Sequence, residues 1–147
     1  YVNQLHSFGL TDVTSQLEPM IVLDALIANE DRHWGNFGAL RNSESLEFIG
    51  LAPIFDNGNS LGYKAASVMR NRNADVSVAF NKTHTLELKH VSSVVKVDWD
   101  GIINRCMEIV EHRYNQLVEP EFGMDRAHMI GQLIQERAKK LKKFIDL

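Results

Sequence analysis

The sequence predicts a mainly helical α+β domain that contains one small β-hairpin. In the last third of the chain, apolar residues recur every three to four positions, which is typical of amphipathic helices. Two short apolar stretches, residues 37–41 and 46–51, flank the polar tetrapeptide Asn42–Ser45, a pattern that predicts two strands and a turn. No internal repeat or linker divides the 147 residues, so we predict one domain over residues 1–147.

Composition excludes several classes of protein. A formal net charge of −3 gives no support for direct nucleic-acid or membrane binding. No run of the sequence approaches the roughly 20 apolar residues that a membrane-spanning helix requires. The single cysteine, Cys106, excludes an internal disulfide framework and favours a reducing, cytoplasmic compartment.

The first third of the chain predicts a buried helix that ends in a polar loop. Residues 1–14 show little periodicity and are expected to be irregular or partly helical, and a helix is predicted over Ser15–Asn29. Ser15 is its expected N-cap, with Glu18 three residues on and Pro19 in the first turn, where proline is tolerated. Apolar residues surround most of this helix, which predicts deep burial and a rigid base for a functional site.

The second half of the chain predicts a long loop followed by two helices. Residues 58–82 are rich in Asn, Gly and Ser and are expected to form a loop, with a short helix over residues 65–70. Asp98 is expected to cap a helix that ends before Pro120, and a final helix is predicted over residues 124–144. Five basic residues near its end are expected to form a solvated face, which the helix dipole favours: Arg137, Lys139, Lys140, Lys142 and Lys143.

Two polar stretches carry the predicted chemistry, and we call them the polar loop (Asn29–Asn36) and the acidic turn (Asp56–Gly58). Asp31 and Asn36 stand in the order Asp-x-x-x-x-Asn, the spacing of the catalytic base and a magnesium-holding asparagine in protein kinases. Phosphoryl transfer needs a carboxylate that orients the attacking hydroxyl, and Mg²⁺ prefers hard oxygen ligands. We therefore predict that Asp31 is the base and that Asn36 and Asp56 hold Mg²⁺.

The segment Leu26–Gly38, followed by Leu51–Asp56, resembles the C-terminal lobe of HipA-like kinases. These are bacterial serine/threonine kinases with a lipid-kinase-like fold, often paired with an antitoxin, whose catalytic loop reads Asn-x-Asp-x-His-x-x-Asn. The resemblance extends from about Leu17 to the C-terminus, more weakly over Phe80–Val91, and only its two acidic motifs are specific.

The resemblance implies a function and a set of roles. In the full-length protein, the chain would be the catalytic lobe that transfers the γ-phosphoryl of Mg-ATP to a protein Ser/Thr hydroxyl. Asp31 would be the catalytic base, and Asn36 and Asp56 would bind Mg²⁺ and, through it, ATP. Arg32 and His33 are further catalytic candidates that shape the loop or stabilise charge. The family also implies a protein substrate and allows an antitoxin-like partner.

The part of a kinase that covers the nucleotide is expected to be missing from this sequence. No Gly-x-Gly-x-x-Gly occurs, and the first lysine, Lys64, follows the polar loop, so no lysine precedes it to hold the α- and β-phosphates. With Tyr1 as the first residue, the simplest interpretation is the C-terminal lobe of a longer protein. We expect little or no kinase activity from this lobe by itself.

Three alternatives are open at this point. The order Asp31-Arg32-His33 also fits a phosphoinositide kinase, and a kinase-like module that binds a partner without catalysis is a second alternative. The third is a hydrolase, because Gly58–Gly62 matches the Gly-x-Ser-x-Gly nucleophile elbow with Ser60 as nucleophile. A hydrolase needs several strands and helices before its elbow, and here only a helix and a hairpin are predicted. No histidine pair has zinc-ligand spacing, which disfavours a zinc site.

Overall fold

The structure, a computed structural model, describes residues 1–63, 83–91, 96–117 and 120–145. Within these residues it is mostly helical with a two-stranded antiparallel sheet, so the predicted mainly α, α+β class is confirmed. The short helix predicted over residues 65–70 lies outside the described residues. The elements are α1 (Val2–Ser7), α2 (Thr14–Ile27), β1 (Ala39–Arg41), β2 (Phe48–Leu51), α3 (His84–Leu88), α4 (Trp99–Leu117) and α5 (Pro120–Ile145).

Helix α2 begins one residue earlier and ends two residues earlier than predicted. Ser15 is not its N-cap, because the backbone is already helical at Val13, which places Ser15 inside the first turn. The Ser15 hydroxyl instead donates to the Asp12 carboxylate at 2.6 Å. The helix stops at Ile27 because Ala28 adopts a left-handed conformation, with φ 53° and ψ 51°. From Leu17 onward no residue of α2 is exposed, which confirms its predicted burial.

The core lies where α5 packs against both α2 and α4, with α3 against α2. Apolar side chains from all four helices meet there, and the buried members are Val22, Ala25, Leu88, Trp99, Ala138 and Leu141. A second, smaller cluster joins Leu133 of α5 to Ala28 at the end of α2, with Leu61 packed against it. The end of α2 is therefore fixed by the last helix of the chain.

The boundaries of α4 and α5 follow recognisable end signals. The Asp98 carboxylate accepts a hydrogen bond from the Gly101 N–H at 2.8 Å, which confirms the predicted cap. Helix α4 ends at Leu117, and α5 begins at Pro120 rather than at residue 124. Proline at the first helical position costs no hydrogen bond, so Pro120 starts the last helix instead of only separating the two. None of the described helices is long and apolar enough to cross a membrane.

The predicted hairpin is present but short. Strands β1 and β2 pair antiparallel, with Ala39 opposite Leu51 and Leu40 opposite Gly50. The register shifts before Arg41, which pairs with Phe48. The Ala52 N–H donates to the Gly38 carbonyl at 2.8 Å, which continues the pairing beyond the strands. The hairpin thus lies between the polar loop and the acidic turn in sequence, with residues 37–38 before its strands and residues 52–55 after them.

Gly131 lies buried where α5 crosses α4. A Cβ atom there would stand 2.7 Å from the Met107 sulfur and 3.2 Å from its Cα. Overpacking of this kind costs about 1–3 kcal/mol, against a gain of up to about 1 kcal/mol from the helix propensity of alanine. We therefore expect Gly131→Ala to lower the free energy of unfolding by about 1 kcal/mol, measured by urea denaturation. Lys139→Ala, an exposed change on the same helix, is the control, and a Gly131→Ala variant more stable than the parent would contradict the prediction.

Candidate active site

The chain leaves α2 through the left-handed residue Ala28, and the first residues of the polar loop are held by hydrogen bonds of the Asn29 side chain. The Asn29 side chain is buried, and its Nδ2 donates to Asp24 Oδ1 at 2.9 Å. Its Oδ1 accepts from the Asp31 N–H at 3.1 Å. Asn29 therefore ties the backbone at Asp31 to a carboxylate on α2, and this fixes the position from which Asp31 projects.

Arg32 is the centre of the site's internal contacts. Its side chain is fully buried, with 0% exposure, and forms a bidentate ion pair with Asp24 through Nε at 2.8 Å and Nη2 at 2.9 Å. Nη1 donates to the carbonyls of Asn36 and Phe55, both at 2.7 Å. Nη2 also donates to Asn57 Oδ1 at 2.5 Å. We call this set of contacts the guanidinium clamp, and it joins α2, the polar loop and the acidic turn.

Of the two roles predicted for Arg32, its contacts support the shaping of the loop. The guanidinium donates inward, to a carboxylate, two carbonyls and an amide oxygen of this chain. A fully buried side chain in this arrangement positions its neighbours, and does not reach a substrate.

Asp31 and Asn36 both lie in the polar loop and are hydrogen-bonded to each other. Asn36 is buried, and its Nδ2 donates to the Asp31 carbonyl at 2.9 Å. Because Nδ2 is the atom that points to Asp31, Oδ1 is the atom that can serve as an oxygen ligand. Asp31 itself is exposed, so its carboxylate is accessible to an incoming hydroxyl.

Asp56 is brought to the polar loop by contacts on both sides of it. The guanidinium clamp holds Phe55 before it and Asn57 after it. Further on, the Asn59 carbonyl accepts from the Glu30 N–H at 3.0 Å, and the Leu61 N–H donates to the Ile27 carbonyl at 2.7 Å. The polar loop and the acidic turn, which are separated by the hairpin in sequence, are therefore adjacent in the structure.

His33 is exposed and bends back on its own loop. Its Nδ1 accepts a hydrogen bond from the Gly35 N–H at 3.0 Å, so the proton of the neutral ring lies on Nε2. A Cβ atom on Gly35 would come within 3.0 Å of the ring, so glycine is what allows this close approach. His33 thus shapes the turn between Asp31 and Asn36, and its Nε2 side faces away from that bond.

The donor set at Asn36 and Asp56 fits a magnesium ion of the kinase type. An amide oxygen and a carboxylate are hard ligands, and Mg²⁺ is usually held by one or two protein groups together with phosphates and water. Among the described residues there is no group of three or more His, Cys, Asp or Glu side chains that could hold a metal. The arrangement therefore suits an ion bound together with a nucleotide better than an ion enclosed by protein ligands.

An aromatic cluster lies on the outer side of the polar loop. Trp34 is 63% exposed, yet its ring centre lies 5.6 Å from that of Tyr1 and 5.5 Å from that of Phe37. The cluster lines an open, largely apolar pocket of about 440 Å³. Burial raises the pKa of the Tyr1 phenol. Trp34 therefore packs against two aromatic neighbours, while most of its surface faces solvent.

Helix α5 supports the site through two arginines that the sequence did not single out for this role. Arg126 Nη2 donates to the carbonyls of Gly62 and Tyr63, at 2.7 and 2.9 Å. Arg137, expected on a solvated face, is only 7% exposed, and its Nε donates to the Ala25 carbonyl on α2. That expectation was wrong for Arg137, because a guanidinium can satisfy a helix-end carbonyl inside the core.

Asp24 and Asn57 are the other contributors that the sequence analysis missed. Asp24 carried a usable signal, since a carboxylate inside an otherwise apolar helix is costly to bury without a cationic partner. Asn57 carried none, because asparagine in an Asp-Asn-Gly sequence is typical of an ordinary turn.

The hydrolase alternative is not supported by the described residues. A nucleophile elbow needs a strand that runs into the nucleophile, whereas residues 52–59 form a loop and Ser60 is buried. Cys106 does not offer a reactive nucleophile either. Burial raises the pKa of its thiol, against smaller opposing effects of backbone hydrogen bonds and Lys139.

Comparison with known proteins supports the kinase interpretation. The chain is 50% identical, over 117 residues, to the serine/threonine-protein kinase CtkA of Helicobacter pylori strain J99. It is similar to a bacterial serine/threonine kinase. The match covers 76% of this chain and 35% of the relative, so the chain spans about a third of that kinase's length. No family model matches the chain, and no solved structure matches it.

Proposed function

We propose that the whole protein containing this chain transfers the γ-phosphoryl of ATP to a serine or threonine hydroxyl of a protein substrate. In this proposal the chain is the C-terminal lobe of a HipA-like kinase. The observation that carries it is the guanidinium clamp, which holds the polar loop with Asp31 and Asn36 against the acidic turn with Asp56. The similarity to a serine/threonine kinase supports the same chemistry.

Asp31 is the proposed catalytic base. Its carboxylate is exposed, while its backbone is held by the Asn29 and Asn36 side chains. A fixed backbone with an accessible carboxylate suits a group that must orient a substrate hydroxyl and accept its proton. His33 and Arg32 keep the loop around Asp31 in shape through the bonds described above.

Asn36 Oδ1 and the Asp56 carboxylate are the proposed protein ligands of Mg²⁺. When bound, the ion neutralises charge on the phosphates of ATP. These 147 residues contain no Gly-x-Gly-x-x-Gly and no lysine before Lys64, so we expect activity from the whole protein and not from this chain by itself. The name of the relative favours a protein substrate over a phosphoinositide, and an antitoxin-like partner stays a prediction.

The metal ligands can be tested by binding. In the whole protein, Asn36→Ala and Asp56→Asn are each expected to weaken Mn²⁺ binding in the presence of a non-hydrolysable ATP analogue by at least about tenfold. Asparagine is chosen at position 56 because it tolerates the left-handed backbone there, with φ 56°. Binding is measured by electron paramagnetic resonance titration of Mn²⁺, with the remote Asp12→Asn as control. Parental affinity in both variants would remove the basis of the proposed metal site.

A further inference from the structure

We infer that Arg32, Asp24 and Asn57 act together as positioning residues that set the separation between the two metal-ligand segments, so that they control metal affinity without contacting the metal. This inference rests on the proposed function, since it takes Asn36 and Asp56 as the ligands. It assigns roles to Asp24, which lies outside the two predicted polar stretches, and to Asn57, a residue of the acidic turn for which no role was predicted.

One nitrogen of Arg32 connects the two ligand segments directly. Nη1 donates at 2.7 Å to the carbonyl of Asn36, which is itself a proposed ligand residue. The same nitrogen donates at 2.7 Å to the carbonyl of Phe55, the residue before Asp56. Two carbonyl oxygens that share one donor must lie side by side. The separation of Asn36 and Asp56 is therefore fixed through Nη1.

Asn57 completes the hold on Asp56 from the other side. Its Oδ1 accepts from Arg32 Nη2 at 2.5 Å, so the residues before and after Asp56 are bound to the same guanidinium. Asp56 has φ 56°, a left-handed conformation that a non-glycine residue keeps only where its surroundings determine it. The hydrogen bonds of the clamp to Phe55 and Asn57 provide these surroundings.

The chemistry of the clamp requires arginine. A guanidinium has five N–H donors in a fixed planar fork, and Arg32 makes five hydrogen bonds to four residues of this chain. With no N–H left over and no exposure, Arg32 cannot reach a phosphate. A lysine has three donors from a single nitrogen and cannot span the same acceptors.

Asp24 makes a buried cation compatible with a nearby metal ion. An unpaired guanidinium next to Asn36 and Asp56 would repel Mg²⁺, whereas the bidentate pair with Asp24 cancels its charge. Asn29 donates a further hydrogen bond to the same carboxylate, at 2.9 Å. The clamp thus provides five directed hydrogen bonds beside a cation site with little net charge.

The variant that tests this inference is Asn57→Ala in the whole protein, because it removes one bond of the clamp and leaves the Asp24–Arg32 pair in place. We expect Mn²⁺ affinity, measured by electron paramagnetic resonance with a non-hydrolysable ATP analogue, to fall about 10-fold to 100-fold. The Mg²⁺ concentration for half-maximal kinase activity should rise in parallel, while kcat at saturating Mg²⁺ stays close to the parental value. A residue with a merely structural role would lower thermal stability and leave metal affinity unchanged.

Two further variants make the test specific. Asn57→Asp keeps an acceptor oxygen for Arg32 Nη2 and is expected to bind Mn²⁺ at least as tightly as the parent. Asn104→Ala changes an exposed asparagine on α4, away from the clamp, and is expected to behave like the parent. If Asn57→Ala binds Mn²⁺ normally, or if Asn57→Asp is weakened as much as Asn57→Ala, the inference is wrong.

The same measurement on Asn36→Ala separates the inference from the function on which it rests. Weakened binding in Asn36→Ala together with normal binding in Asn57→Ala would overturn only the positioning role of the clamp. Normal binding in both Asn36→Ala and Asp56→Asn would overturn the proposed metal site, and the clamp's role in metal affinity with it.

Discussion

Replacing Arg32 with alanine is expected to destabilise the protein by about 3–5 kcal/mol, which is a large part of the stability of an ordinary domain. The side chains of Arg32 and Asp24 are 0% and 1% exposed. Without the guanidinium, a buried carboxylate loses its cation, and the carbonyls of Asn36 and Phe55 lose a donor. The free energy of unfolding, measured by urea denaturation, is the quantity that reports this loss.

A pair on the surface provides the matched comparison. Arg105 and Asp98 lie 3.5 Å apart, with their side chains 66% and 72% exposed. Because water screens such a pair, Arg105→Ala is expected to cost less than about 1 kcal/mol. Replacing Asp24 and Arg32 together should cost less than the sum of the two single changes, since neither charge is then left unpaired. If Arg32→Ala and Arg105→Ala lower the free energy of unfolding equally, burial of the Asp24–Arg32 pair does not contribute to stability as expected here.

Replacing Asp31 with asparagine is expected to lower kcat of the whole protein by about 10²-fold to 10⁴-fold, the usual contribution of a general base. Asparagine keeps the size of the side chain and the backbone bonds to Asn29 and Asn36, but it cannot accept the proton of the substrate hydroxyl. Mn²⁺–nucleotide affinity should be unchanged, because Asp31 is not a proposed ligand. The phosphorylation rate at saturating Mg-ATP is the measurement.

The neighbouring carboxylate is the control for Asp31. Glu30→Gln removes a charge one residue away and is expected to leave kcat within a few-fold of the parent. If Asp31→Asn also keeps kcat within a few-fold of the parent, another group is the base. If it loses metal affinity as well as rate, Asp31 belongs to the metal site.

Local signals in the sequence were sufficient for most of the fold. Helices α2, α4 and α5 follow from their apolar periodicity, and the hairpin follows from two short apolar stretches around a turn. The Asp98 cap is also a local feature. The ends of helices were less predictable, because they depend on single backbone conformations such as the left-handed one at Ala28.

The candidate site was predictable in its polar groups but not in what holds them. Asp31, Asn36 and Asp56 stand out because their type and spacing match a known chemistry. Arg32 next to Asp31 could equally have faced solvent, and only the fold shows that it is buried. Arg137 has the same charge as the lysines around it, and its partner Ala25 lies 112 residues away in sequence. No local pattern can reveal a contact over that separation.

The contact between Arg137 and Ala25 also has a consequence for the order in which the molecule is completed. During synthesis the polar loop leaves the ribosome before α5. Until α5 has emerged, the Ala25 carbonyl near the end of α2 therefore lacks its hydrogen bond from Arg137. Bringing these two segments together costs chain entropy before their contacts can stabilise the fold. Docking of α5 against α2 is therefore expected to be a late step of folding. The segment that carries Asp31 is therefore synthesised before the helix that fixes the end of α2, and we expect it to reach its final arrangement only after that helix has docked.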